Sequence, residues 1–302
     1  MIRALLPPLA VVLRDAPPEL RSLIARADRL DDAARGRSAA VTRAWSATPA
    51  TPLPVAPALR DAECSDAADA LWISADPGHA RADLAALRLV RSGDLGLTHE
   101  EADVLVRELK PLFGDAGFEL SAPTPDHWFL RGLVSDQRPE APDPEDILGD
   151  DLEAHLPAGR DAPKWRRLLN ETQIVLHNHP VNAARAARGE VTANTLWFWG
   201  GGRRPSLART WRSVLAQDRV VCALAHAAGA ALVSRETLAR ADEPVLVECW
   251  RPEAWTWLCE TGHALLPRRI AGGDDALELE CWSGERFRYR RVHRFRFWRA
   301  AK

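Results

Sequence analysis

The sequence has 302 residues, of which 46% are hydrophobic and 27% are charged. This composition is typical of a soluble globular protein and excludes a largely disordered chain, a collagen and a coiled coil. The 40 basic and 42 acidic residues nearly cancel, which argues against a molecule built as a whole for nucleic acid or for an anionic membrane. The length suits one large domain or two smaller ones.

The first 14 residues contain an apolar run that we interpret as a core strand rather than a signal peptide. Pro7 and Pro8 interrupt the run, and no small-residue cleavage site follows it. No stretch approaches the roughly 18 apolar residues that a membrane-spanning helix needs, so we expect no membrane partner. Five widely spaced cysteines form no zinc motif, and we predict free thiols and a cytoplasmic location.

Helical and strand patterns alternate through the middle of the chain, which predicts an α/β fold. Thr98 and Glu101 have the spacing of a capping box, so a helix is predicted to begin there. We predict further helices from Asp161 to before Pro180, over residues 182–188 and over residues 252–266. Short strands are predicted over residues 71–74, 118–120, 128–134, 196–199, 220–222 and 244–248.

The end of the chain predicts an antiparallel hairpin. Residues 277–281 alternate between apolar side chains and glutamates, Ser283-Gly284 favours a turn, and residues 286–298 are the predicted partner strand. Residues 285–302 contain eight basic residues and one acid, interleaved with aromatic side chains. This pattern is typical of an edge strand whose arginines pair with acidic groups, and the alternative is a strand that binds nucleic acid.

Two acidic stretches invite a functional interpretation. Residues 135–151 contain seven acids and one basic residue, Arg138, and we predict a solvated loop, with a lid over a ligand as the alternative. Asp274 and Asp275 follow two glycines, so we interpret them as part of a turn rather than as paired catalytic carboxylates.

The densest group of chemically versatile residues lies between residues 176 and 202. An arginine can grip a carboxylate or phosphate with a fork of N–H donors, and a run of glycines lets backbone amides approach an anion. We predict a ligand-binding site formed by His179, Asn182, Arg185, Asn194, Trp199, Gly200, Gly201 and Gly202. The alternative is a buried polar network that fixes a junction. His177 and His179 have no acid or cysteine nearby to complete a metal site, so we predict none.

The same residues carry a resemblance to a known family. The archaeal-type cofactor-independent phosphoglycerate mutases, of the alkaline phosphatase superfamily, have a signature that resembles His179-Pro180-Val181-Asn182, Arg185, Gly189, Asn194 and Trp197-x-Trp199-Gly200-x-Gly202. A bacterial subgroup, the RpfE-type regulatory proteins, is similar at Trp72-x-x-Ala75-Asp76-Pro77-x-His79 and Phe297-Trp298-Arg299.

The resemblance implies an architecture and a chemistry. It implies a reduced alkaline-phosphatase-like core, residues 1–60 and 203–302, with an inserted α/β subdomain over residues 61–202 and a C-terminal antiparallel hairpin. The mutases need a two-metal centre and a serine nucleophile. Here no Asp-Gly follows the first strand and the late Asp/His cluster has no counterpart. For the serine nucleophile, Ser46 and Ser65 are candidates by position only. We therefore predict no catalytic residues, no metal and no cofactor.

These observations lead to one functional prediction and two alternatives. We predict a non-catalytic, mutase-like protein with a regulatory or metabolite-sensing role that binds a small phosphorylated or carboxylated ligand. The first alternative is a diverged metal-dependent mutase or phosphatase. The second is a nucleic-acid-binding regulator that uses the basic C-terminal strand. The sequence identifies neither a protein partner nor an oligomeric state.

Overall fold

The computed structural model describes residues 2–46, 52–84, 86–132, 138–157, 159–207, 211–238, 244–265, 276–296 and 299. The chain forms two compact units: unit 1 is Met1–Pro52 with Leu207–Lys302, and unit 2 is Leu53–Ser206. The chain passes between the units at residues 52/53 and 206/207, whereas we predicted boundaries at 60/61 and 202/203.

Strands and helices alternate along the chain, which confirms the predicted α/β class. The strands are β1 (Ile2–Leu6), β2 (Asp28–Arg29), β3 (Leu71–Ala82), β4 (Leu87–Ser92), β5 (Phe118–Ser121), β6 (Phe129–Gly132), β7 (Thr195–Gly202), β8 (Ser213–Leu215), β9 (Ala231–Leu232), β10 (Val245–Glu248), β11 (Ala276–Cys281) and β12 (Arg286–Arg290). The α-helices are α1 (Leu9–Asp15), α2 (Pro18–Arg26), α3 (Arg37–Trp45), α4 (Ala56–Cys64), α5 (His99–Asp115), α6 (Ala162–His177), α7 (Pro180–Ala187), α8 (Arg219–Ala227), α9 (Arg235–Leu238) and α10 (Pro252–Leu265). Short 3-10 helices span Pro144–Asp146, Leu152–His155 and Arg291–Phe295.

Unit 1 is built on a seven-stranded sheet with the order β2-β12-β11-β1-β10-β8-β9 in the described part of the chain. Strand β1 lies between β10 and β11 and runs parallel to both, and β8 and β9 extend the parallel part. Strands β11 and β12 form an antiparallel hairpin, as predicted. Apolar side chains of the central strands pack with helical residues such as Leu20 and Trp255 to form the core.

Arginines neutralise two glutamates that β11 carries into the interior of unit 1. Glu278 pairs with Arg3 at 2.8 Å and with Arg288 at 2.7 Å, and Glu280 pairs with Arg43 at 2.6 Å. Burial acts to raise the pKa of Glu278, but the two arginines outweigh it and hold the pKa below its ordinary value. Arg288 of the basic C-terminal strand therefore has an internal acidic partner.

Unit 2 is organised around β3, which pairs antiparallel with β4 and β6 along one edge and with β7 along the other. The aromatic rings of Phe118, Trp165 and Phe198 stack in sequence, with 5.2 Å between neighbouring centroids. The predicted capping box at the start of α5 is confirmed. The Thr98 hydroxyl accepts from the Glu101 N–H, and the Glu101 carboxylate accepts from the Thr98 N–H, each at 3.1 Å.

Some predicted strands are wrong or shorter than expected. Residues 220–222 lie in helix α8, because the Asp218 carboxylate caps its first turn by accepting from the N–H groups of Val220 and Val221. The apolar run at the start of the chain is a strand only to Leu6, and helix α1 begins after Pro7-Pro8. Strand β12 ends at Arg290, where a 3-10 helix follows.

Several predicted features fall on residues that the structure does not describe: the Asp274-Asp275 pair, residues 133–137 and residues 297–298. In the described part of the chain, no helix combines the length and apolar character needed to cross a bilayer.

Candidate functional site

Arg185, the centre of the predicted site, is a buried residue on α7 with 1% of its surface exposed. Its Nε donates to the Val191 carbonyl at 2.9 Å, and Nη2 donates to the Leu95 carbonyl at 2.6 Å. Nη1 donates to the Gly96 carbonyl at 3.1 Å and to the Glu101 carboxylate at 2.6 Å. The guanidinium thereby ties α7 to the segment that leads into α5, and this geometry matches a structural anchor.

The two predicted asparagines also bind backbone groups. Asn182 donates to the carbonyls of Leu176 and Ala193, at 2.8 and 2.7 Å, and accepts from the Ala193 N–H at 3.0 Å. Asn194 accepts from the Ala80 N–H at 2.7 Å and donates to the Ala80 carbonyl at 2.8 Å. Side-chain amides used in this way substitute for strand pairing, so both residues fix the path of the chain between α7 and β7.

His179 and Trp199 also have hydrogen-bond partners within unit 2. His179 is the N-cap of α7, and its Nδ1 accepts from the Val181 N–H at 3.1 Å. The Trp199 indole N–H donates to the buried Asp76 carboxylate on β3 at 2.8 Å. The tryptophan and aspartate of the two resemblance motifs therefore meet across the β3–β7 pair.

The three glycines end β7 where other parts of unit 2 approach closely. Gly200 has φ +61°, and a Cβ there would lie 2.6 Å from Cγ2 of Val55. At Gly201 a Cβ would meet Ile73, and at Gly202 it would overlap Pro54. The glycines are needed for close packing and, at Gly200, for a left-handed backbone.

The structure thus brings the predicted site residues into α7, β7 and the segment between them, with internal partners for every polar side chain. Their predicted contact with a ligand stays a prediction that these hydrogen bonds do not test. The sequence did not predict that Glu101 belongs to this network, because its contact with Arg185 joins two separate helices, α5 and α7, and spacing along the chain does not show which helices pack together. The Glu101 carboxylate also accepts from Arg188 at 2.8 Å.

A second candidate location lies at the carboxyl ends of parallel strands in unit 1, where open α/β sheets place their ligands. Glu248 is the last residue of β10 and is buried. One carboxylate oxygen accepts from the N–H groups of Gln217 and Asp218, at 2.9 and 3.2 Å, and the other accepts from the Trp250 N–H at 3.0 Å. Backbone donors therefore occupy both oxygens of this carboxylate.

The loop after β8 is fixed beside Glu248 by a buried cation. Arg37, at the start of α3, donates to the Asp218 carboxylate at 2.5 Å, and its guanidinium lies 4.6 Å from the ring centre of Trp250. The Trp250 ring in turn contacts Trp282 edge-on, at 5.2 Å between centroids. This support makes the strand ends a rigid platform.

An open pocket of about 410 Å³ lies on this platform. Its lining includes Arg235 of α9 and Arg251 at the start of α10, together with Gln217, Glu248 and Glu253. Both arginines are exposed, and neither guanidinium makes a hydrogen bond or an ion pair with a described residue. The pocket therefore offers two exposed cations, with the Glu253 carboxylate in its lining and the Glu236 carboxylate next to Arg235 in the chain. The sequence analysis did not predict this pocket, although a glutamate at the end of a buried apolar strand can indicate a ligand site at the strand end.

The two-metal centre that the resemblance implies does not fit the residues found. Among the described residues, no group of three or more His, Cys, Asp and Glu side chains could hold a metal ion. Asp15 pairs with its neighbour Arg14 at the surface, and His127 pairs with Glu63 at 2.7 Å.

Part of this chain is similar in sequence to known phosphoglycerate mutases. A stretch of 65 residues is 43% identical to a probable 2,3-bisphosphoglycerate-independent phosphoglycerate mutase from Geobacter sulfurreducens and covers 22% of this chain and 16% of that relative. A stretch of 79 residues is 34% identical to the corresponding mutase of Methanosarcina mazei, over 26% of this chain and 20% of the relative. Part of this chain is phosphoglycerate-mutase-like. The mutase-like stretch spans at most a fifth of these two relatives.

Solved structures give a weaker likeness over a longer span. A cofactor-independent phosphoglycerate mutase from Thermoplasma acidophilum aligns over 96% of this chain and 89% of its own, with 17% identity and a TM-score of 0.42. A protein from Pyrococcus horikoshii aligns over 95% of this chain and 85% of its own, with 13% identity and a TM-score of 0.46. No protein-family model matches the sequence.

Proposed function

We propose that this chain is a phosphoglycerate-mutase-like protein of the RpfE type that binds a small carboxylated or phosphorylated metabolite in the cytoplasm without transferring phosphate. A regulatory or sensing role follows from binding without turnover. The observation that carries the proposal is the strand-end pocket of unit 1, in which two exposed arginines, neither with a hydrogen bond or ion pair to a described residue, lie where open α/β sheets bind ligands.

The charge pattern of the pocket sets the chemistry of its ligand. Arg235 and Arg251 can each present a fork of N–H donors to a carboxylate or phosphate, and Gln217 adds an uncharged lining group. The Glu248 carboxylate already accepts three backbone hydrogen bonds, so its contacts are mainly with the chain itself. These contacts favour recognition of an anion over its chemical transformation.

The site predicted around Arg185 is the second location for the same ligand. We rank it below the strand-end pocket because an anion would have to replace three carbonyls and the Glu101 carboxylate around that guanidinium. A buried cation whose donors already have partners gains little from a new one.

Isothermal titration calorimetry with 3-phosphoglycerate tests the proposal. We expect saturable heat with the wild-type protein, and at least a tenfold weaker affinity for Arg235→Ala and for Arg251→Ala, because each loses a charge-assisted contact. Arg14→Ala is the matched control: its guanidinium is exposed in the same unit and, among the described residues, pairs with Asp15 alone. Equal affinities for all four proteins, or no heat at all, would remove the pocket from the proposal.

An enolase-coupled assay with added Mn²⁺, together with metal analysis of the purified protein, tests the claim that no phosphate is transferred. The mutase-like stretch favours a diverged phosphoglycerate mutase as the second candidate function. Stoichiometric metal and measurable turnover would establish that candidate and overturn ours. Absence of turnover with intact ligand binding is the expected result.

A further inference from the structure

A second cleft, in unit 2, has a different chemical character from the strand-end pocket. It is an open depression of about 570 Å³ between one face of α6 and the strands β3 and β4. Its lining consists of Ala80, Leu87, Asn170, Gln173, Ile174, His177, Asn178 and Asn194. Four of these residues carry carboxamides, and none carries a permanent charge.

Internal hydrogen bonds hold three of the carboxamides in place. Asn194 is fixed by its two bonds to Ala80, Gln173 donates to the Thr195 hydroxyl at 3.2 Å, and Asn178 donates to the Ile174 carbonyl at 2.9 Å. Each fixed amide group still has unused hydrogen-bonding capacity, including the carbonyl oxygens of Gln173 and Asn178. These oxygens are therefore ordered acceptors.

The remaining polar groups of the cleft have no hydrogen-bond partner among the described residues. Asn170 and His177 are both exposed, and neither side chain bonds to a described residue. They lie on the same face of α6 as Ile174, at positions i, i+4 and i+7, so the amide and the imidazole stand on either side of it. Both groups can donate and accept, which is the requirement for binding a hydroxyl.

An apolar surface completes the cleft. Ile174 is 62% exposed although it lies in the middle of α6, and Leu87 and Ala80 line the cleft with it. A charged ligand would find no countercharge among the lining side chains, and transfer of a charge against aliphatic groups is costly. A molecule with C–H groups on one face and hydroxyls at its edge would match both parts of the lining.

We propose that this cleft binds an uncharged, hydroxyl-rich ring of monosaccharide size. The ring would place its C–H face against Ile174 and Leu87 and share hydroxyl hydrogen bonds with Asn170, His177 and the fixed amides. The inference does not rest on the proposed function, because the cleft and the strand-end pocket belong to different units.

Nuclear magnetic resonance of the ¹⁵N-labelled full chain tests the inference, with D-glucose and myo-inositol as probes and D-glucose 6-phosphate as the charged comparison. We expect saturable shifts of the side-chain amide signals of Asn170, Gln173 and Asn178 with at least one neutral probe. Asn170→Ala and His177→Ala should each weaken that binding about three- to tenfold, the effect of one neutral hydrogen bond. Ile174→Asp should abolish it.

Arg166→Ala is the matched control, because Arg166 is exposed on the same helix and does not line the cleft. Its affinity should equal that of the wild type. The inference is overturned if neither neutral probe gives saturable shifts into the tens of millimolar, or if the pocket variants bind as well as the control. Tighter binding of D-glucose 6-phosphate than of D-glucose at the same amides would also overturn it, since the cleft would then recognise charge.

Discussion

Replacement of Arg185 by alanine is expected to destabilise the α5–α7 region of unit 2 severely. The substitution removes three bonds to backbone carbonyls and the 2.6 Å pair with Glu101. Loss of one member of a buried ion pair costs about 3–5 kcal/mol, and the lower end applies here because Glu101 keeps Arg188 and the Thr98 N–H as partners. We expect a loss near that lower end, and about 2 kcal/mol for Arg185→Lys, which keeps the charge but not the fork of donors.

Hydrogen-exchange mass spectrometry on the full chain measures this loss locally, through the opening free energy of peptides from α5 and α7. Arg188→Ala is the matched control. Its guanidinium also contacts Glu101, at 2.8 Å, but its side chain is 49% exposed, and an exposed pair contributes about 0–1 kcal/mol. If Arg185→Ala lowers the opening free energy no more than Arg188→Ala does, the assignment of Arg185 as an internal anchor is refuted.

Three further predictions follow from the geometry. Gly200→Ala should lower the free energy of unfolding of unit 2 by about 1–3 kcal/mol. The new methyl group would overlap the Val55 side chain, and alanine disfavours the left-handed backbone at this position. Gly189→Ala, with φ +74° and open space around it, should cost only about 1 kcal/mol in the same denaturation experiment, and equal costs would contradict the packing argument. Burial acts to raise the pKa of Glu101, but the Thr98 N–H and Arg185 outweigh it and hold the pKa below its ordinary value. The stability from this group is therefore complete above an ordinary carboxyl pKa of about 4.3 and is lost as the pH falls through the lowered one. The protection of α5 amides, measured relative to their intrinsic exchange rate at each pH, should fall over that acid window, and the fall should be smaller in Glu101→Gln; an equal fall would refute the linkage. Iodoacetamide should modify Cys64 before the fully buried Cys249, whose thiol pKa burial raises well above its ordinary value, and mass spectrometry that finds the reverse order would contradict the burial pattern.

Local signals in the sequence predicted those parts of the fold that short-range physics determines. The capping box at Thr98 satisfies backbone donors within one turn, so its pattern could be recognised directly. Residues 220–222 show the opposite case. A short apolar run fits a strand or a buried helix equally well, and the deciding signal was the capping carboxylate of Asp218 just before it.

The candidate sites could be predicted only in part, because partners distant in sequence decide what a polar side chain does. Arg185 had the right chemistry for an anion, but the carbonyl of Leu95 and the carboxylate of Glu101 lie some ninety residues earlier in the chain. The sequence did not predict a site at Arg235 and Arg251, since nothing in their spacing indicates that both lie near the end of β10. Exposure and freedom from internal partners are properties of the folded chain.

The position of β1 in the sheet of unit 1 has a consequence for synthesis on the ribosome. Ile2–Leu6 is made long before its neighbours on both sides, Val245–Glu248 and Ala276–Cys281, which follow it by more than two hundred residues. Unit 2 is a continuous segment and can complete its sheet while the strand at the start is still unpaired. A strand with two open edges must therefore wait until β10 and β11 have been synthesised, and a nascent chain stalled before β10 should be prone to aggregate.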